Sequence, residues 1–208
     1  MNIIVISSPQ QELNEASIIG ALFEHGLEVF HLRKPTYSIY DTEALIQAIE
    51  PKFRDRVVLH HHYALAEKYN LRGIHFTGHY VKSHSDQLTN WYDKAKQQAM
   101  TVSGSKHQLK ELETLEVPYN YVFLSPVFDS ISKAGYKSNF ADLKSIEKYK
   151  SATQLIALGG ISLDKIDQVK RMGFDGAAVL GTVWEKPAQA IAVFMELKAA
   201  WEKKDQIF

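Results

Sequence analysis

Arg33-Lys34 is the first pair in this chain that could do chemistry. Arginine offers a rigid fork of donors that matches a phosphate, and lysine a mobile point charge beside it. Without context the same pair also reads as a surface ion pair. His60-His61-His62 places three imidazoles in a row. On an extended strand neighbours face opposite ways, so His60 and His62 can share a side but all three cannot hold one ion. A zinc site would need further ligands that the spacing does not supply, and polar residues lining a pocket mouth account for the run more simply. His107 ends Ser103-Gly104-Ser105-Lys106-His107, which reads as a small-residue turn into a helix. A long stretch, Ser125 to Gly135, carries Ser130, Ser132 and Lys133 close together. Two hydroxyls and an ammonium there could wrap an oxyanion. His75 sits inside an apolar run and reads as a packed residue rather than a catalyst.

The clearest anion signal lies further on. Gln154-Leu155-Ile156-Ala157-Leu158 has no helical period and reads as a strand buried on both faces. Gly159-Gly160-Ile161 follows, with Ser162 placed to cap a helix that carries Ile166, Val169 and Met172 on one face and stops at Gly173. Ala177-Ala178-Val179-Leu180 is a second such strand, ending in Gly181-Thr182. A βαβ unit of this kind brings both glycine turns to the same end of a parallel sheet. Glycine lets backbone N–H groups approach an oxyanion closely, and a helix N-terminus adds partial positive charge. The plainer alternative is that these glycines serve only tight turns.

These residues need a scaffold, and the chain alternates in a way that supplies one. Short apolar runs recur at Ile3–Ile6, Val29–Leu32, Val57–His60, Gly73–Phe76, Thr101–Ser103, Tyr121–Leu124, Leu155–Leu158 and Ala177–Leu180. Helical segments separate most of them, including 38–49 with Ala44, Leu45, Ala48 and Ile49 on one side, 106–115, and 139–149. Strands alternating with helices imply a parallel sheet, and eight runs point to closure as a (β/α)8 TIM barrel in one domain spanning 1–208. An open doubly wound sheet is the competing architecture. Thr101–Ser103 is the weakest strand, and little room is left for a helix before Gly73.

Composition sets the bounds. The 208 residues suffice for one sizeable domain, with 45% hydrophobic and 23% charged content. Lys plus Arg and Asp plus Glu balance at 24 each, so no net field favours nucleic acid or an anionic membrane. The absence of cysteine excludes a thiol nucleophile and thiolate metal ligands. No basic leader precedes Ile3 and no apolar run approaches a membrane span, so a cytoplasmic location is expected. A homo-oligomer is neither required nor excluded.

In their order, the motifs resemble the thiamine phosphate synthase/TenI family of (β/α)8 barrels. The family's strand-six pattern G-P-V-F-x-T-x-T-K-x-G is similar to Ser125-Pro126-Val127-Phe128-Asp129-Ser130-Ile131-Ser132-Lys133-Ala134-Gly135. Its A-I-G-G-I matches Ala157-Leu158-Gly159-Gly160-Ile161, its D-G-V-A-V matches Asp175-Gly176-Ala177-Ala178-Val179, and its G-x-S-x-H matches Ser103-Gly104-Ser105-Lys106-His107. The resemblance implies a transferase joining hydroxymethylpyrimidine diphosphate to a thiazole phosphate, with loss of pyrophosphate. Arg33, Ser105 and Lys133, with Lys34 beside them, would meet the diphosphate. Ser130 and Ser132 would stand for the two threonines, and Gly159, Gly160, Leu180 and Gly181 would hold the thiazole phosphate. His31, His60 and His107 lie at strand ends, with His60 and His107 as acid/base candidates.

Departures accompany the resemblance. His31 stands for the glutamine and Pro35 for the lysine of the strand-two signature Q-L-R-E-K. Mg2+ is implied by the family, but its two aspartates fall at His61 and Tyr80, and imidazole and phenol suit that hard cation poorly. No metal ligand is therefore assigned. A TenI-like thiazole tautomerase, which needs a proton carrier and no metal, is the alternative activity, although the position of TenI's histidine holds Ser125 here. A non-catalytic thiazole phosphate-binding relative is the third reading.

Overall fold

The computed structural model describes residues 2–129, 140, 146, 149 and 152–203. Its core is a closed barrel of parallel strands in sequential order: β1 (Ile3–Ile6), β2 (Val29–Leu32), β3 (Val57–Leu59), β4 (Gly73–Phe76), β5 (Thr101–Lys106), β6 (Tyr121–Leu124), β7 (Gln154–Leu158) and β8 (Gly176–Val179). Closure is direct: Ile4 of β1 pairs with Val29 on one side and Ala178 on the other. The open-sheet alternative is thereby excluded.

Helices α1 (Glu15–Glu24), α2 (Ile39–Ala48), α3 (Ala64–Lys68), α4 (Gly78–Ser83), α5 (Ser85–Gln97), α6 (Ile166–Arg171), α7 (Gly181–Trp184) and α8 (Ala190–Glu202) surround it. Ser38 caps α2 by accepting from the Asp41 N–H, while the Asp41 carboxylate takes the Ser38 N–H in return. The α2 face differs from the expected one. Of the four expected residues Ile49 is buried and Leu45 packs against the core, whereas Ala44 and Ala48 are exposed and Thr42 and Ile46 are buried instead. As anticipated, only a short helix, α3, fits before β4. Ser162 makes no capping bond to the backbone. Its hydroxyl instead donates to Asp164 at 2.5 Å, and α6 is entered through a 3-10 turn at Leu163–Lys165. Most of 139–149 lies outside the described residues.

β5 is the largest departure. The segment expected to be the weakest strand and then a turn pairs with β4 and β6 as far as Lys106, and only a 3-10 turn at Leu109–Leu112 follows it. A methyl at Gly104 would come within 2.8 Å of the Tyr119 ring. The small residues there serve close packing, and strand pairing overrides their weak β propensity.

Period two sorts the strands into faces. Val5, Phe30, Leu59, Phe76, Val122 and Leu155 join the cluster beneath the helices. Ile4, Ile6, Val29, Val58, Tyr121, Phe123, Ile156 and Ala178 form a second cluster inside the barrel. Among the described residues, no helix is long and apolar enough to cross a membrane.

Candidate functional site

The rim begins with the glycine turns. Gly159 and Gly160 take φ of +96° and +65°, the left-handed region that glycine occupies at no steric cost. A side chain at Gly159 would meet Pro126 at 2.9 Å, and one at Gly160 would strike the Asp129 carbonyl oxygen and Phe128. The β7 turn and the strand-six loop are therefore in backbone contact, with Val127 N–H donating to Leu158 O at 2.9 Å and Phe128 N–H to Gly159 O at 3.1 Å. Thr182 Oγ1 donates to Ile161 O at 2.5 Å, tying the β7 and β8 turns together. No hydrogen bond among the described residues uses the Gly160 N–H. Leu180 and Gly181 stand at the opening of α7, and Gly159, Gly160, Leu180 and Gly181 are all at or near the surface of this edge.

Arg33 follows β2. Ser7 fixes its backbone from both sides: the Arg33 N–H donates to Ser7 Oγ at 2.8 Å, and the Ser7 hydroxyl donates to Arg33 O at 2.9 Å. Burial pulls the guanidinium below its ordinary pKa. Its charge also adds to burial in depressing His60, His61 and His75.

Lys34 is not the mobile rim charge expected of it. It is 2% exposed, its Nζ lies 2.6 Å from Glu15 Oε2, and it donates to the Gln10 carbonyl. Strand alternation turns it away from Arg33 and toward α1. Glu15 feels burial first, which raises its pKa, with the Lys34 hydrogen bond and charge pulling the other way.

Beneath Arg33 the barrel interior is polar. His31 Nδ1 and His60 Nε2 share a hydrogen bond of 2.9 Å, and His31 Nε2 meets the Tyr121 hydroxyl at 2.7 Å. His60 stacks on His75 at 4.1 Å between centroids. His75 bonds Ser103 Oγ at 2.9 Å and Ser105 Oγ at 2.8 Å. Burial, joined by neighbouring positive charge, holds His31 and His60 neutral far below the usual imidazole range and takes His75 to about 3. His60 and Ser105 thus belong to an internal network, Ser105 as an inward strand residue and not part of a turn. His75 is packed, as expected, but within a hydrogen-bonded group that linear spacing did not reveal. Its signal was present in the period-two pairs Val29/His31, Val58/His60 and Gly73/His75.

The remaining assigned residues scatter. His61 is half-buried near Arg33, and burial first, then the charges of Arg33, His62 and His79, lowers its pKa. His62 does not share the side of His60. At φ +55° it turns outward, its Nε2 3.1 Å from Tyr37 O. His107 Nδ1 donates to Ser125 O at 2.9 Å on the rim. The Tyr80 ring stacks on Phe76 and His84, at 5.7 and 4.7 Å between centroids, and its hydroxyl is buried without a partner among the described residues. Ser130, Ser132 and Lys133 lie outside the described residues.

A closed parallel barrel with glycine turns at the C-terminal ends of β7 and β8 places this chain among the (β/α)8 barrels that carry their sites on that face. Residues 3–183 match the family model described as thiamine monophosphate synthase, and the chain belongs to that TMP-TENI family. A thiamine-phosphate synthase of Staphylococcus carnosus (strain TM300) is 23% identical over 145 residues, which cover 68% of this chain and 65% of the relative, just under two thirds of its length. The crystal structure of a thiamine phosphate pyrophosphorylase from Bacteroides thetaiotaomicron is 33% identical, covers 96% of this chain and 97% of that one, and superposes with a TM-score of 0.75. A Pyrococcus furiosus thiamine phosphate pyrophosphorylase, 16% identical over 97% of this chain and 95% of that one, shares the fold with a TM-score of 0.78.

Proposed function

We propose that this protein is a cytoplasmic thiamine phosphate synthase-type transferase, joining hydroxymethylpyrimidine diphosphate to a thiazole phosphate and releasing pyrophosphate. The observation that carries the reading is the pair of glycine turns on one rim, with the Gly160 N–H unused by described partners, in a chain that matches the family over 3–183. In such a reaction the diphosphate leaves as the thiazole nitrogen bonds to the pyrimidine methylene carbon. The protein must stabilise the departing negative charge and hold the two rings in line.

Arg33, whose backbone Ser7 holds just past the end of β2, supplies a cation for the diphosphate. Lys133, Ser130 and Ser132 join it on the strength of their motif. Gly159, Gly160, Leu180 and Gly181 grip the thiazole phosphate through backbone N–H groups. His31 and His60, neutral and inside the barrel, line the floor. Lys34 takes no part, because Glu15 neutralises it. Magnesium does not fit the two positions that the resemblance offers it. Tyr80 is packed between aromatic rings, and His61 is an imidazole beside a guanidinium. No step is assigned to that ion.

A second reading, a metal-independent thiazole tautomerase, draws support from the same two misfits and from the rim imidazole of His107. One experiment separates the readings. Protein incubated with both substrates, with and without magnesium, yields thiamine phosphate by chromatography if the transferase reading holds. No product above background, with conversion of the thiazole carboxylate tautomer instead, replaces it with the second. Saturable thiazole phosphate binding with neither reaction leaves a binding protein.

A further inference from the structure

β2, β4 and the residue just past β3 each send one imidazole into the barrel, and a ring nitrogen from each of His31, His60 and His75 lies within 4.8 Å of the others. All three residues are buried. In a core built only for packing, every polar atom would be expected to have a partner. Here His60 Nδ1 is buried with no hydrogen-bond partner among the described residues, an unfavourable state because the group has left water and gained nothing in exchange. Burial keeps the three rings neutral, the form with a lone pair to give.

The surroundings also suit ligation. A metal-bound histidine commonly uses its second nitrogen to hold a hydrogen-bonding partner that fixes the ring. His31 has the Tyr121 hydroxyl on one nitrogen and His60 on the other. His75 has Ser103 on one and Ser105 on the other. Each can release one nitrogen and keep a partner on the second. His60 has one nitrogen with no bond to lose, and its other is freed when His31 turns Nδ1 to the ion and keeps Tyr121 on Nε2.

We propose that His31, His60 and His75 form a three-histidine site for a borderline divalent transition metal, zinc in the first instance, with its fourth position toward the barrel mouth. Imidazole suits zinc, cobalt or nickel and disfavours magnesium and calcium, which call for oxygen. Two zinc–nitrogen bonds at the tetrahedral angle set their nitrogens about 3.3–3.4 Å apart. The nitrogens lie at most 4.8 Å apart and close to that spacing when they share an ion. The ligands are neutral, so an anion in the fourth position meets the charge of the ion. His60 stands just past the end of β3, on the side where Arg33 already favours anions. Hydroxide or a phosphate oxygen can fill that position.

The test reads metal and not turnover, so it can fail while the transferase reading stands. Protein stripped with a chelator, reloaded with zinc and desalted is expected to retain about one ion per chain by elemental analysis. The cobalt form is expected to show the intense visible bands of tetrahedral coordination, changed by adding inorganic phosphate. His60→Gln with His75→Gln should lower retained zinc at least tenfold with an unchanged far-UV spectrum. His61→Ala with His62→Ala should retain it. If the first variant does not fold, X-ray absorption of the zinc-loaded wild type decides, with a shell of three imidazoles supporting the site. Wild type that retains no stoichiometric zinc overturns the proposal. So does loss of zinc in the His61/His62 variant, or an absorption spectrum without imidazole ligands.

Discussion

Gly160→Ala tests the rim more directly than any other single change. The residue sits at φ +65°, and an added methyl would meet Phe128 Cβ at 2.8 Å and the Asp129 carbonyl oxygen more closely still. The left-handed conformation costs an L-residue about 1–2 kcal/mol, and forcing a methyl into packed neighbours costs roughly 1–3 kcal/mol more. A central value of about 3 kcal/mol corresponds to a fall in Tm of roughly 6–12 °C for a domain of this length. Gly20→Ala is the control, because its methyl finds nothing within 4 Å in the middle of α1. That change removes backbone freedom from the unfolded chain and is expected to raise stability by about 0.5–1 kcal/mol. Calorimetric melting of both variants, with phosphate titrations at a permissive temperature, measures the difference. A Gly160→Ala protein that melts with the wild type and binds phosphate as tightly would refute the rim geometry and the anion site together.

The buried histidines predict acid sensitivity. Their folded pKa values lie below the ordinary value of 6.5, so the unfolded chain binds more protons and stability falls as pH drops through the unfolded pKa. Between pH 7 and 5.5 the loss is about 1.2 kcal/mol per histidine, or roughly 3–4 kcal/mol for the three. Urea melts at the two pH values check it, and a flat midpoint contradicts it. Glu15→Gln leaves the Lys34 ammonium buried without its partner and should cost about 3–5 kcal/mol. Glu15→Leu with Lys34→Met should recover most of that in the same denaturation assay. Arg33→Ala should weaken diphosphate binding roughly 10- to 100-fold, the worth of a charge-assisted hydrogen bond, with little change in melting temperature. Calorimetric titration with pyrophosphate reads it, and an unchanged affinity removes Arg33 from the site.

Much of this architecture could be read in linear order. Parallel strands buried on both faces must be apolar runs, so Ile3–Ile6, Val29–Leu32 and Tyr121–Leu124 stood out with correct bounds. Gly159-Gly160 was legible because only glycine occupies that backbone region freely. β5 was legible only in its first half, Thr101–Ser103, since Gly104, Ser105 and Lys106 carry little β signal and become strand only by pairing on both sides. Lys34 misled for a related reason. Its partner, Glu15, is on another element, and no local pattern reports a burial completed across the fold.

The order of apolar runs and glycine turns determined by itself a parallel α/β architecture, because strand burial and left-handed backbone leave marks in residue type, while the motifs carried the family and the structure decided closure into a barrel. Tertiary structure alone decided what the polar residues do. Closing the barrel brought His31, His75 and Tyr121 from three strands and His60 from just past a fourth into one network, and it buried Lys34 while Arg33 stands just past the end of β2. Those contacts depend on strand register and on which face each side chain takes, and neither is written in the spacing of the residues along the chain.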